Sequence, residues 1–280
     1  MKKENSKSYP RVRAAIYGQP MAISKSGMDL ICGIVEAQEN GLVSNYVKAA
    51  GNPADPQELE SDHLKMRGNT AVISVLGPII PRANWFSQVS NLTSSTGILE
   101  SIDEALSKDP EKIVFLFDSP GGSVSLGFEV ADKIFSLRDL DIPVLSVVQG
   151  QCCSLAYLLA SQTDYIYTGR DSMLGSISVI LRAESSDRAL RNEGTDINEF
   201  VTGNLKQAGD PSKMHFTDQY ASVLEQAMTY HDMFEAAVAR GRKAVDINKV
   251  CTGQVWIGQK AIDAGLADEI STLDDVLKNG

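Results

Sequence analysis

Three short apolar runs, at 72–76, 113–117 and 144–148, each stop at small or turn-forming residues, and segments of helical spacing lie between them. A predominantly apolar run of this length, broken at most by one serine, is the mark of a strand buried on both faces. Strands that alternate with helices are joined by crossovers, which favours a parallel sheet with helices on its faces. The pattern therefore predicts an α/β fold with a mostly parallel central sheet. A helix is expected over 98–107, with Ile98, Ile102 and Leu106 on one face and Thr96 as its cap. Others are expected at about 123–137, 216–240 and 258–264, with Trp256 and Leu266 in a C-terminal docking segment. Parallel sheets build their sites beyond the carboxyl ends of their strands.

Residues 1–65 read as an N-terminal helical arm and linker, and 66–280 as the main domain. Met28, Leu30, Ile31, Ile34 and Val35 predict a helix from Met21 to Gln38, and Pro53 and Pro56 punctuate a polar linker. The charged N-terminus has no apolar core of a signal peptide, and no apolar run approaches the roughly 20 residues that span a bilayer. A soluble protein without a membrane anchor is expected. With 26 basic and 36 acidic residues the formal charge is −10, which argues against nucleic acid or anionic lipid as partner. Cys32, Cys152, Cys153 and Cys251 lack metal-ligand spacing, and no phosphate-binding glycine motif occurs. Neither metal nor cofactor is expected, and the adjacent cysteines read as small buried packing residues.

Ser154 follows the third strand and opens the apolar segment Leu155–Ala160. Orphan amides and the helix dipole favour developing negative charge there, and the same position suits a helix cap. The sequence is not the G-x-S-x-G elbow of α/β-hydrolases. Gly121 and Gly122, after the second strand, leave backbone N–H groups unobstructed, as an oxyanion hole or a plain turn requires. For a base there are three histidines, His63, His215 and His231, none at the end of a central strand. Lys206, in FVTGNLKQAGDP with a strand-like lead, is the alternative, and a lysine base requires a lowered pKa.

In these positions the chain resembles peptidase family S49, the signal-peptide-peptidase-A-like proteins with a ClpP/crotonase-type spiral of ββα units. Asp118-Ser119-Pro120-Gly121-Gly122 matches the family's strand–loop motif. Cys153-Ser154-Leu155-Ala156-Tyr157 stands where Ala-Ser-Gly-Gly-Tyr is usual, with Ala160-Ser161 and Asp164 following. Leu174-Gly175-Ser176-Ile177-Ser178-Val179 matches a Thr-Gly-Ser-Ile-Gly-Val motif with two substitutions. Thr202-Gly203-Asn204-Leu205-Lys206, then Gly209-Asp210-Pro211, matches the general-base motif. Gly241-Arg242, the run 253–258, Ala261, Gly265-Leu266 and Asp268 match the C-terminal signature.

The resemblance implies a serine endopeptidase with a Ser154/Lys206 dyad acting through an acyl-enzyme. Gly121 or Gly122, with the amide of Leu155, would hold the oxyanion, and Ser176 would orient Lys206. Ser123, Ile79, Trp85, Leu155 and Tyr157 would line a substrate cleft, with Leu155 and Ala156 narrowing it. The N-terminal arm and the segment 77–87 resemble the phage and prophage branch, whose members act in head maturation. That branch implies a polypeptide substrate such as a capsid or scaffold protein, a homo-oligomer, and a place in host cytoplasm or procapsid. The alternatives are an assembly protein that kept the fold without turnover, a cellular enzyme degrading peptides, and crotonase-type thioester chemistry.

Overall fold

The computed structural model describes residues 16–39, 63–82, 92–185, 187–196, 198–211 and 217–278. In chain order the elements begin with β1 (Pro20–Ile23), α1 (Lys25–Glu39), β2 (Leu64–Arg67), β3 (Thr70–Leu76), β4 (Ile79–Ile80) and β5 (Thr93–Ser94). Next come α2 (Ser95–Ser107), β6 (Lys112–Ser119), β7 (Gly121–Ser123), α3 (Gly127–Ser136), β8 (Val144–Cys153) and α4 (Leu155–Ala160). The remainder is β9 (Tyr165–Thr168), β10 (Met173–Gly175), β11 (Ile180–Leu181), α5 (Asp187–Asn192), α6 (Thr217–Gly241), α7 (Ile247–Val250), β12 (Val255–Ile257), α8 (Gln259–Asp263), β13 (Glu269–Ile270) and α9 (Leu273–Lys278).

The α/β class is as expected, and the strands form two sheets, each of mixed parallel and antiparallel pairing. The larger has the order β12-β10-β8-β6-β3-β2, with β9 also on β8 and β13 on β9. Its centre, β3, β6 and β8, runs parallel, and antiparallel strands β2 and β12 close the two ends. The smaller sheet has the order β11-β1-β7-β4-β5. The chain crosses from the larger sheet to the smaller at Pro120, between β6 and β7.

Three local readings change. The segment expected to be helical from Met21 begins as β1, because Met21, Ala22 and Ile23 pair with β7 before the helix starts at Lys25. The helix expected from 123 begins at Gly127, since Gly121–Ser123 is strand. The cap of α2 is Ser94, whose Oγ accepts from Gly97 N at 2.9 Å, not Thr96.

The core lies where helices α2, α3 and α4 meet the larger sheet. Ile98, Ile102 and Ala105 of α2 and Val130, Ala131 and Ile134 of α3 are buried, spaced as one helical face. All six residues of α4 are buried, so its apolar character all round is a consequence of its central place. Much of the C-terminal signature is a clamp on this core. Arg242 donates to Asp268 through Nη1 (2.7 Å) and Nη2 (2.8 Å), and Asp268 Oδ2 accepts from Ile166 N at 2.7 Å. Such a fork-on-carboxylate pair fixes geometry as well as energy.

Candidate active site

The site is built by a disturbance in β8. Its first half pairs with β9 and its second half with β10. Against β6 the register jumps: Phe117 faces Val148 but Ser119 faces Cys152, leaving extra residues on β8. Gly150 sits in that bulge at φ +109°, its Cα against the Asp118 carboxylate, where any side chain would collide. Bulges bend a strand and re-aim the residues beyond them. Here the bent end delivers Cys152, Cys153 and Ser154 under the Pro120 corner.

Ser154 joins β8 to α4 with φ 56° and ψ −120°. Few non-glycine residues adopt positive φ, and such outliers gather at functional sites. Gly258 provides an internal comparison: between β12 and α8 it has φ 50° and ψ −117°, the same turn made by a residue without Cβ. Ser154 is fully buried. Its N–H donates to Gly175 O at 2.7 Å, and its Oγ donates to Ser178 O at 3.2 Å. The next residue, Leu155, carries one of the first-turn amides of α4 that lack an intrahelical acceptor.

The glycine pair lies beside these amides. A Cβ built on Gly121 would stand 2.9 Å from Leu155 N and 2.8 Å from Cys153 O, so only glycine permits this approach. Gly121 N–H is already used, donating to Ser119 Oγ at 3.2 Å. The Gly122 amide lies on the edge of β7 that pairs with β1, opposite Ala22. A buried serine at positive φ, the Leu155 amide and the Gly121 corner thus lie together beyond the carboxyl end of β8.

Residues 136–279, which include the serine turn and the Arg242–Asp268 clamp, match the profile of peptidase family S49. The chain belongs to peptidase family S49. It is 30% identical over 274 residues to the capsid assembly protease C of Escherichia phage lambda, covering 96% of this chain and 61% of that protein. It is 29% identical over 192 residues to the probable protease SohB of Haemophilus influenzae, covering 66% of this chain and 53% of that one. With the head-tail preconnector protein GP5 of Enterobacteria phage P21 it shares 30% identity over 209 residues, 74% of this chain and 42% of that protein. The chain thus spans less than two thirds of the length of each of these relatives.

Within this S49 chain the expected site residues separate into two groups. Ser154, Leu155, Gly121, Gly122, Ser123 and Ile79 come together around the Pro120 corner, with Ile79 opposite Gly122 in the smaller sheet. Lys206 sits on an exposed turn, and no strand forms over its apolar lead. Among the described residues it makes no hydrogen bond to Ser154 or Ser176. Ser176, at φ 53°, donates its N–H to Gln254 O at 2.6 Å and so anchors β10 to the loop before β12. His63 packs beside Gly97 at the start of α2, and His231 Nε2 lies 3.1 Å from Glu235 on α6. His215 and Trp85 lie outside the described residues.

Tyr157 and Leu155 line no opening. The Tyr157 hydroxyl donates to Leu266 O at 3.1 Å in the core, and burial pushes its pKa well up. Leu155 points its branched side chain to Gly127, away from the glycine pair, so its bulk does not narrow a cleft. The cysteines before the serine are buried, and desolvation pushes the Cys153 thiol up to about 12. Ser119 and Ser178, which bond the glycine loop and the serine hydroxyl, carried no signal beyond their neighbourhood. β1 was equally silent, being four residues at the edge of a helical pattern.

Proposed function

We propose that this chain is a serine endopeptidase acting on polypeptides through an acyl-enzyme, on a ClpP/crotonase-type framework, with Ser154 as nucleophile and Lys206 as base. The observation that carries the reading is the positive-φ Ser154 turn with the Leu155 amide set against the Gly121-Gly122 corner. In the reaction, Ser154 Oγ attacks the scissile carbonyl as Lys206 takes its proton. The oxyanion accepts hydrogen bonds from Gly122 and Leu155 N–H groups. Collapse breaks the C–N bond as Lys206 returns the proton to the leaving amine, and water then hydrolyses the ester.

A lysine accepts a proton near neutral pH only when desolvated. The 198–211 segment must therefore dock on a second surface, its own chain's or a neighbour's. Phe200 is 96% exposed, and Val201 and Leu205 are also exposed, an apolar edge suited to such docking. Tyr220, Leu224 and Met228 form a further exposed stripe on α6, which supports homo-oligomerisation. The relatives from phages lambda and P21 support capsid or scaffold protein as substrate and host cytoplasm or procapsid as setting.

The test is hydrolysis of a fluorescent polypeptide by the parent chain and by Ser154→Ala and Lys206→Ala. Loss in both, with unfolding midpoints kept, is expected; full activity in either variant sinks the dyad. A second reading, an assembly protein without turnover, is favoured by the burial of Ser154 and the exposure of Lys206. A fluorophosphonate that labels Ser154 in the assembled parent excludes that second reading.

A further inference from the structure

The smaller sheet contains an occupant that the proposed chemistry does not call for. β7 carries the Gly122 amide, and one of its edges is covered by β4. The other is covered by β1, antiparallel, with Met21 opposite Ser123, Ala22 opposite Gly122 and Ile23 opposite Gly121. On its far side β1 meets β11, Pro20 opposite Leu181 and Met21 opposite Ile180. A polypeptide substrate bound as an added strand would use that same edge of β7.

The register makes the coincidence close. Ser24 N–H donates to Pro120 O at 2.9 Å. By the alternation of antiparallel pairing, Ala22 and Gly122, two residues further along, also exchange backbone hydrogen bonds. The Gly122 amide thus faces the Ala22 carbonyl oxygen, which also lies against the Gly121 Cα. Ala22 is buried in the main core with Leu155 and Ala156, while Met21 and Ile23 join the cluster of Met28, Ile31 and Val35. The segment is latched from outside through Arg182, just beyond β11. Its guanidinium donates to Cys32 Sγ at 3.3 Å, lies 3.7 Å from Asp29 and stacks over Tyr17.

Resting on the peptidase reading, we infer that β1 is a resident substitute for the substrate strand. It covers Ser154 and must leave β7 before a polypeptide can bind. The groove it fills prescribes the substrate: an extended segment with a small side chain opposite Gly122 and large apolar ones beside it, as Ala22 stands between Met21 and Ile23.

The test reads binding, so that it stands apart from turnover. In a Ser154→Ala background, a fluorescein-labelled peptide of residues 16–26 (IYGQPMAISKS) is titrated by anisotropy. Opening the latch with Arg182→Ala, or deleting residues 1–24, is expected to tighten binding about tenfold by raising the fraction of open grooves. A Pro20→Cys/Leu181→Cys pair, oxidised, is expected to abolish binding, and reduction to restore it. Because the pair retains every element, it decides the matter even where the deletion does not fold. Equal binding by parent, Arg182→Ala and the oxidised pair overturns the inference, as does binding by none of them. Fluorophosphonate labelling is scored separately in the matching chains that keep Ser154: peptide binding that follows the latch, with no labelling of any of those chains, leaves β1 as the occupant and removes the peptidase.

Discussion

The Leu155 side chain fills the space that a methyl group on Gly127 would need: a Cβ there would come within 2.6 Å of Leu155 Cδ1. Leu155 is fully buried, so it has nowhere to retreat without disturbing α3 or α4. Gly127→Ala is expected to cost about 1–3 kcal/mol by overpacking, and Leu155→Ala about 2–5 kcal/mol by leaving a cavity. The double variant should cost less than the two together, because each relieves the other. Urea unfolding of the four chains measures this coupling, and strict additivity would refute the contact.

Alkaline pH should weaken the fold through the cysteines at the end of β8. Burial raises the Cys153 thiol to about 12 from an ordinary 9.0 and shifts Cys152 the same way. Below pH 9 both folded and unfolded thiols are protonated, so their contribution is complete. Between about 9 and 12 the unfolded chain loses the proton first, and stability falls by up to about 1.4 kcal/mol per pH unit for each such group. Cys153→Ala should flatten the decline in urea midpoint between pH 8.5 and about 10.5.

The cap of α2 separates two neighbouring residues. Ser94→Ala removes the acceptor for Gly97 N–H and is expected to cost about 1 kcal/mol. Thr96→Ala, inside the helix, should change the urea midpoint far less. An equal effect of the two substitutions would contradict the capping geometry.

The three apolar runs announced β3, β6 and β8 because full burial leaves a compositional mark that needs no partner to be read. Ser154 and the glycine pair were legible for a related reason: each follows such a run. The features that stayed hidden depend on pairing. Residues 20–23 have no alternation of their own, and only pairing with β7 and β11 makes them a strand. Thr96 satisfies every local rule for a cap, yet β5 places Ser94 at the first turn. Lys206 is the opposite case: its motif matches in sequence, while the exposed turn that carries it gives no packing from which its place could be read.

The paired turns at Ser154 and Gly258 bear on why a hydroxyl sits where it does. Holding a Cβ at φ 56° costs on the order of 1–3 kcal/mol, which a glycine at the same place avoids. Ser154→Gly should therefore unfold at higher urea than Ser154→Ala, by about 1 kcal/mol, although both lose the hydroxyl. At 258 a Cβ would also stand 2.0 Å from Arg170 O, so glycine is required there on two grounds. At 154 the Cβ is tolerated, and the nucleophile role proposed for Ser154 gives a reason for a hydroxyl to stand on a backbone that favours glycine.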